Sequence, residues 1–470
     1  MDKEAAMLDL AKETAALARW PESERTAALK HILSRAVVKR VLRSRGCDRF
    51  ACSRMPGWLA AWMVVGLGLF ARDCYREIYR SLRPWDGKRG TPGRSTLCEA
   101  RKRLGVAPLV DLARATVGPL AKAGESWSDD CFYRGMPLMA LDGFVLNLPD
   151  TPDNARVFGR PGGPSAGAFP QVRVLALCEA GTHVMCDWLI KPISWGEPSF
   201  VLPLLKKLEA GCLLLWDRNF RRYDLVKAVL DRGAHLLARA RTDMPLRRLN
   251  TLADGSYLAK IYPDAADKRA DRNGIVVRVI DYTLNDPARR DPKRDPGKGL
   301  EKHRLITTLL DCKRHPARTL VVLYHSRWEQ ELAIDEIKTH QLSRPVLRSQ
   351  NPAGVVQEVW GLLLAHFVVR KLMCQAAEKA GVPPVRVSFT AAVNILRKRL
   401  NNCPATPARQ SRWWRDLVDE ISREILEPRR DRINPRVVRV QVSKWPRKRK
   451  KHYDYPQPEK KFRDCIVIQR

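Results

Sequence analysis

Two aspartates carry the first chemical signal. Asp142 closes the apolar run Met136-Pro-Leu-Met-Ala-Leu, and Asp217 closes Cys212-Leu-Leu-Leu-Trp. A carboxylate beside buried aliphatic residues costs free energy unless something neutralises it. A divalent cation does so, and Mg²⁺ favours a few carboxylates together with waters and phosphate oxygens. If the two runs are neighbouring strands, the acids lie side by side, and a glutamate from a packing helix completes the set. Two ions about 3.5–4 Å apart would then clamp the attacking and leaving oxygens of an in-line phosphoryl displacement. The candidate glutamate is Glu331, in the stretch Tyr324-His-Ser-Arg-Trp-Glu-Gln-Glu-Leu-Ala-Ile-Asp-Glu-Ile-Lys338. At roughly 100° per residue, Tyr324, Arg327, Glu331 and Lys338 project into one arc of about 60°. A core-facing stripe would be apolar, and a solvated face has no need of an aromatic ring in register with its charges. On this face Tyr324, Arg327 and Lys338 would grip phosphates, and Trp328 would stack on an exposed base. Glu329, Asp335 and Glu336 are the runner-up acids; Glu331 is preferred because it alone shares the arc. Taken singly, each aspartate also reads as a strand-end residue capping a turn, and the helix as an exposed one with ion pairs.

The charge balance favours the phosphate reading. The 470 residues include 85 Lys+Arg against 51 Asp+Glu, a formal net charge of +34. The excess is spread along the chain, as expected of a protein that meets a polyanion. A third reading, an acid pair acting on a glycosidic bond, fits this surplus poorly. The 12 cysteines contain no Cys-x-x-Cys, and the nearest pair, Cys47 and Cys52, has no histidine placed to complete a zinc site. The start shows no signal-peptide pattern, and the uncharged run from Gly57 to Ala71 falls short of the ~20 residues a membrane span needs. It reads as a buried helix, and the expected setting is reducing and cytoplasmic, with no membrane partner.

The elements that must position these residues follow from periodicity. Residues 1–125 read as a helical DNA-binding domain, broken at Pro21, Pro56 and Pro84. Within it, Arg94 to Leu104 reads as a recognition helix, capped by Ser95 or Thr96 and ended by Gly105. Leu97, Ala100 and Leu104 form its buried edge, leaving Arg94, Arg101, Lys102 and Arg103 for DNA. The alternative is a basic solvated helix within a bundle. From residue 126 to 400 strands alternate with helices, which indicates an α/β sheet. Met136–Asp142 and Phe144–Leu148 read as a strand and its hairpin return. Further strands are expected at 171–178, 183–190, 212–217 and 234–241, with helices at 198–210 and 223–232. Residues 242–315 read as a β-rich insertion around a charged Pro/Gly loop, Asp286 to Gly299. Val355 to Lys379 is a long apolar helix expected to pack on the sheet. Residues 401–470 read as a helical, basic C-terminal region with the tail Lys444-Trp-Pro-Arg-Lys-Arg-Lys-Lys451. Gly163-Pro-Ser-Ala-Gly167 formally matches a nucleophile elbow but lacks the strand before it and the helix after it.

The same residues carry a resemblance. Tyr324-x-x-Arg327-x-x-x-Glu331-x-x-x-x-x-x-Lys338 is similar to the Tyr-Arg-Glu-Lys signature of bacterial cut-and-paste DDE transposases of the insertion-element-four type. Leu141-Asp-Gly143 with Asp150-Thr-Pro-Asp-Asn154, Trp216-Asp-Arg-Asn-Phe220 and Leu347-Arg-Ser-Gln-Asn-Pro352 extend it over residues 90–400. Asn219 stands where the family pattern usually has glycine. The resemblance implies an α/β ribonuclease-H-like core, a mixed sheet flanked by helices, with a β insertion between the second Asp and the Glu. It implies Asp142, Asp217 and Glu331 as catalytic metal ligands for two Mg²⁺ ions, with Mn²⁺ as substitute. It also implies cleavage at transposon terminal inverted repeats, often through a hairpin, then strand transfer into target DNA. The partners implied are double-stranded DNA and a second copy in a synaptic homodimer, near the bacterial nucleoid. A non-catalytic DNA-binding regulator or domesticated relative is the competing expectation.

Overall fold

Strand propensity and burial meet most clearly in Leu213–Trp216, four apolar residues that are all buried. Such a run, covered on both faces, belongs inside a parallel sheet. The computed structural model describes residues 33, 35–47, 55–82, 90–162, 169–217, 222–284, 302–400, 402–404, 407–428 and 462–469. In chain order its strands are β1 (Phe132–Tyr133), β2 (Met136–Asn147), β3 (Gln171–Glu179), β4 (Val184–Pro192), β5 (Leu213–Trp216), β6 (His235–Ala240), β7 (Asn250–Thr251), β8 (Tyr257–Ile261), β9 (Ile275–Leu284), β10 (Lys302–Thr307) and β11 (Ile466–Ile468). The chain divides into two units. One is Met1–Phe132, Gly143–Gly196 and Glu329–Leu426; the other is Tyr133–Asp142, Glu197–Trp328 and Glu427–Arg470.

The second unit holds the parallel strands. The first half of β2 pairs parallel with β5, and β5 pairs parallel with β6. The sheet continues antiparallel through β10, β9 and β8 to β7. The helix Tyr223–Leu230 joins β5 to β6. Strands thus dominate the described residues of 250–284 and 302–307, and they extend the sheet that begins with the parallel strands. One of them reaches toward the signature helix. Arg278 of β9 is fully buried, pairs with Asp254, and donates to Ser256 Oγ at 2.8 Å and to the His315 carbonyl at 2.6 Å. Asp254 Oδ2 in turn accepts from the Ala317 N–H at 2.8 Å. A carboxylate at that position caps the helix Ala317–Tyr324 and complements its dipole.

The first unit is built around the helix Pro352–Ala380, started by the Asn351 side chain and ended by Gly381 in the left-handed region at φ 64. Its central residues are buried on all sides, as an apolar run of that length requires. It crosses the helix Gly57–Leu69 at a glycine contact: a Cβ on Gly361 would lie 2.2 Å from the Val64 carbonyl oxygen, and one on Gly68 2.6 Å from the Gly361 carbonyl oxygen. The antiparallel β3–β4 hairpin belongs to the same unit. By length and composition Pro352–Ala380 is apolar enough to cross a membrane, yet 78% of its apolar window is buried in protein. The sequence reading, which named only Gly57–Ala71 as a membrane candidate, passed over it.

Several expectations need correction. β2 is one continuous strand through Gly143, where a hairpin return was expected. Residues 198–210 hold the end of the 3₁₀ turn Glu197–Ser199 and the short helix Leu202–Leu205. The C-terminal region contains the helix Pro407–Ile421, but Ile466–Ile468 is a strand that pairs antiparallel with β9. The helix Arg94–Leu104 takes Gly93 as its N-cap, so neither Ser95 nor Thr96 caps it; Gly105 ends it as expected. The loops 163–167 and 286–299 and the tail 444–451 lie outside the described residues.

Candidate active site

The two aspartates meet through strand register. β2 and β5 run parallel with Leu141 opposite Trp216. Asp142 and Asp217 are the next residues, so they stand at the same level on adjacent chain segments, about 4.8 Å apart across the ladder. Asp217 follows the carboxyl end of β5, where open α/β sheets place their ligands, and Asp142 stands where the parallel pairing of β2 stops, β2 itself running on to Asn147. The four apolar residues before each acid fill the sheet interior and leave the carboxylates at its rim.

The first two signature residues touch these strand ends. The Tyr324 hydroxyl donates to the Trp216 carbonyl at 3.1 Å, one residue before Asp217. Arg327 Nη1 donates to Asp142 Oδ2 at 3.2 Å, with the Arg327 side chain 11% and the Asp142 side chain 23% exposed. Burial pushes the Tyr324 phenol well above its ordinary range, and the nearby Asp217 charge adds to that while Arg327 opposes it. Tyr324 is therefore a neutral donor at any working pH. Tyr324 thus holds the residue before Asp217 and Arg327 pairs with Asp142, where the sequence reading had both on phosphate. Trp328 is 45% exposed, with the Arg327 guanidinium 5.9 Å from its ring centroid.

The stretch 324–338 is not one α-helix. The helix Ala317–Tyr324 tightens into a 3₁₀ turn at His325–Arg327, resumes as an α-helix at Trp328–Asp335, and widens into a π-helical turn at Glu336–Gln341. The even 100° spacing behind the 60° arc therefore fails at both ends. Lys338 sits in the π turn and is exposed; Glu331 sits in the α portion and is half-buried. π turns inside helices concentrate at functional sites.

Two of the runner-up acids are already committed. His183, in the β3–β4 turn, has Nε2 2.8 Å from Glu329 and Nδ1 2.8 Å from Glu336. Glu336 also meets His366 Nε2 at 3.1 Å and Arg370 Nη1 at 3.6 Å. Burial alone would raise the Glu336 carboxyl; Arg370, His183 and His366 outweigh it and hold the group well below the usual carboxylate range. Burial lowers His366, whose buried Nδ1 has no hydrogen-bond partner, so it is a neutral ring donating through Nε2. Asp335 is exposed and accepts from Thr339 Oγ1 at 2.6 Å. The sequence reading had weighed Glu329 and Glu336 only as acids for a metal and had missed His183, His366 and Arg370. The only signal available was the seven-residue spacing of the two glutamates, which puts them on one helix face.

Of the expected DNA contacts in the first unit, Arg94, Lys102 and Arg103 are exposed, with Lys102 paired to Glu99 at 2.8 Å. Arg101 is a correction. It is 7% exposed and donates to Tyr75 Oη at 2.6 Å, to the Gly354 carbonyl at 2.8 Å, and to Gln357 and Ser349 at 3.2 Å. With its donors satisfied inside the protein, Arg101 ties its helix to the start of Pro352–Ala380 and is not available to DNA.

Among the described residues, no group of three or more His, Cys, Asp and Glu is placed to hold a metal ion. What the register assembles is a carboxylate pair. Two hard oxygen donors at one level of a sheet rim suit a divalent ion in kind, and Arg327 is the present charge partner of Asp142.

Comparison with known proteins gives these features a family. Residues 133–368 match the transposase DDE domain, and residues 23–113 match the insertion element 4 transposase N-terminal domain. Transposase InsG for insertion sequence element IS4 of Escherichia coli (strain K12) is 28% identical over 439 residues, covering 90% of this chain and 94% of that protein. The putative transposase InsZ of the same organism is 27% identical over 39% of this chain and 60% of its own length. A chain of a piggyBac transposase synaptic complex with hairpin DNA aligns over 84% of each chain at 13% identity with a TM-score of 0.36, too loose a likeness to bear on the fold. The DDE-domain match covers half of the chain, an insertion-element-four N-terminal domain precedes it, and the mixed sheet flanked by helices fits a ribonuclease-H-like core; the chain belongs to the IS4 family of DDE transposases, enzymes that act on DNA.

Proposed function

We propose that this transposase cuts DNA at the terminal inverted repeats of its element and joins the freed ends to target DNA by metal-dependent in-line phosphoryl transfer. The observation that carries the proposal is the β2–β5 register, with Leu141 opposite Trp216 and an aspartate next on each strand. In this reading Asp142 and Asp217 hold divalent ions, Mg²⁺ or Mn²⁺, and Glu331 is the third acid, an assignment that rests on the Tyr-Arg-Glu-Lys spacing. When bound, such ions activate a water or 3′-hydroxyl and stabilise the departing oxygen. The protein's own contribution is positional. Tyr324 fixes the strand end before Asp217, and Arg327 orients Asp142. Lys338 and Trp328, both exposed, take the DNA backbone and an unstacked base. Arg94, Lys102 and Arg103 contribute sequence-independent contacts from the N-terminal region. A homodimer holding two ends is the assembly that fits cutting at both repeats.

The test uses linear DNA carrying the repeats that flank the reading frame. Asp142→Ala, Asp217→Ala and Glu331→Gln should each abolish cleavage in Mg²⁺ while gel-shift binding in EDTA survives. Binding by the native chain without any cutting in Mg²⁺ or Mn²⁺ would instead favour a non-catalytic regulator.

A further inference from the structure

Among the contacts that hold the segment Trp328–Gln341, which carries Glu331, one buried imidazole reaches it at two points. His183 lies in the turn between β3 and β4 with its side chain 2% exposed. Hairpin turns ordinarily sit on the surface, and this one is locked inside. A Cβ on Gly181 would lie 2.5 Å from Cys131 Sγ, and Arg370 Nε donates to the Thr182 carbonyl at 2.6 Å. Glu179, at the strand end before the turn, accepts from the Leu120 N–H at 3.0 Å and the Ala121 N–H at 3.1 Å. His183 adopts φ 60, a left-handed conformation that a non-glycine residue holds only when its surroundings insist.

Its two ring nitrogens each meet a carboxylate at 2.8 Å, Glu329 on one side and Glu336 on the other. The ring therefore bridges the two acids, one through each nitrogen. The glutamates are seven residues apart, about two helical turns, and share a face. One contact would let the helix roll about its axis; two contacts so spaced fix both roll and tilt. Gln330 adds a third hold, donating to the Ala176 carbonyl of β3 at 2.9 Å. Glu331 lies about 200° around the helix from Glu329, on the far side from the clamp. Any roll released at His183 therefore swings Glu331 by the same angle.

Building on the reading of Glu331 as the third acid, we propose that His183 is a positioning residue for DNA cleavage, clamping Glu329 and Glu336 so that the helix carrying Glu331 is held at one angle. Packing alone does not require this: an apolar filler would close the same space, whereas a ring bonded on both sides sets the helix angle.

The test titrates Mg²⁺ in the repeat-end cleavage assay with the full-length chain, and measures end binding in EDTA beside it. His183→Gln keeps one donor for Glu336 but turns a carbonyl oxygen toward Glu329. It should raise the Mg²⁺ concentration for half-maximal cleavage by about tenfold, the low end for groups that orient a metal ligand, with end binding changed less than about twofold. The double variant His183→Gln/Glu329→Gln pairs amide with amide and should return to within about threefold of the native value. If His183→Gln does not fold, Glu329→Gln alone carries the test, with an expected shift of about threefold in the same direction. Native Mg²⁺ dependence in the folded variant tested, or parallel loss of binding and cleavage, overturns the proposal. Glu331→Gln is the control. If it cuts normally, the third-acid assignment falls; if it is inactive while His183→Gln behaves as native, only the clamp falls.

Discussion

Glu336→Gln removes the charge on which His183, His366 and Arg370 converge. Arg370 is 1% exposed and His366 fully buried, so neither regains water when the carboxylate goes. Breaking a buried ion pair from one side costs about 3–5 kcal/mol. The glutamine keeps one carbonyl oxygen, and Arg370 keeps its bond to the Thr182 carbonyl, which places the expected loss near the lower bound, about 3 kcal/mol. At a urea dependence of about 3 kcal/mol per molar, the unfolding midpoint at pH 7 should fall by about 1 M. The pH dependence is an independent check. The folded Glu336 carboxyl titrates well below the ordinary 4.5, so its contribution is fully present above that value. It disappears as the pH falls through the lower, folded value. The midpoint difference between native and variant should therefore be constant from pH 7 to 5 and shrink below about 4.5. A variant with native stability at pH 7, or a gap that widens on acidification, would refute the assignment of Glu336 as the charged hub of this cluster.

Two further outcomes follow from the packing of the first unit. Gly361→Ala should destabilise by about 3 kcal/mol or more in urea unfolding, because the new Cβ meets a backbone oxygen that no rotamer change moves; a native midpoint would show that the two helices slide apart freely. Arg101→Ala and Arg103→Ala should separate structure from DNA contact. The first should lower stability with little change in the salt slope of DNA binding. The second should leave stability within about 0.5 kcal/mol and reduce that slope by about 1, and the reverse pattern would return Arg101 to the DNA face.

Much of the fold is legible in the sequence because burial imposes short, patterned strands. Leu213–Trp216 and His235–Ala240 announce themselves by composition alone. Asp142 and Asp217 stand out as acids closing apolar runs, although each alone also reads as a strand-end residue capping a turn. The rest depends on tertiary facts that leave no local trace. Gly143 reads as a turn, yet β2 runs straight through it. The signature stretch has helical periodicity throughout, but its ends tighten and widen where Tyr324 reaches the Trp216 carbonyl and Glu336 is drawn to His183, His366 and Arg370. Arg101 differs from Arg103 by about 200° of helix rotation, and only its partners, Tyr75, Ser349, Gly354 and Gln357, reveal that it faces inward. Three of those four partners lie some 250 residues away, beyond the reach of any window.

The claim that the aspartate pair just past the β2–β5 pairing binds the metal that cuts DNA is tested most directly by Asp217→Cys. A thiolate is a poor ligand for Mg²⁺ and a better one for softer ions. Cleavage of repeat-end DNA by this variant should fall by at least about 100-fold in Mg²⁺ and recover substantially in Mn²⁺, with end binding in EDTA unchanged. Equal cleavage by the variant in both metals, at the native rate, would mean that Asp217 does not touch the metal.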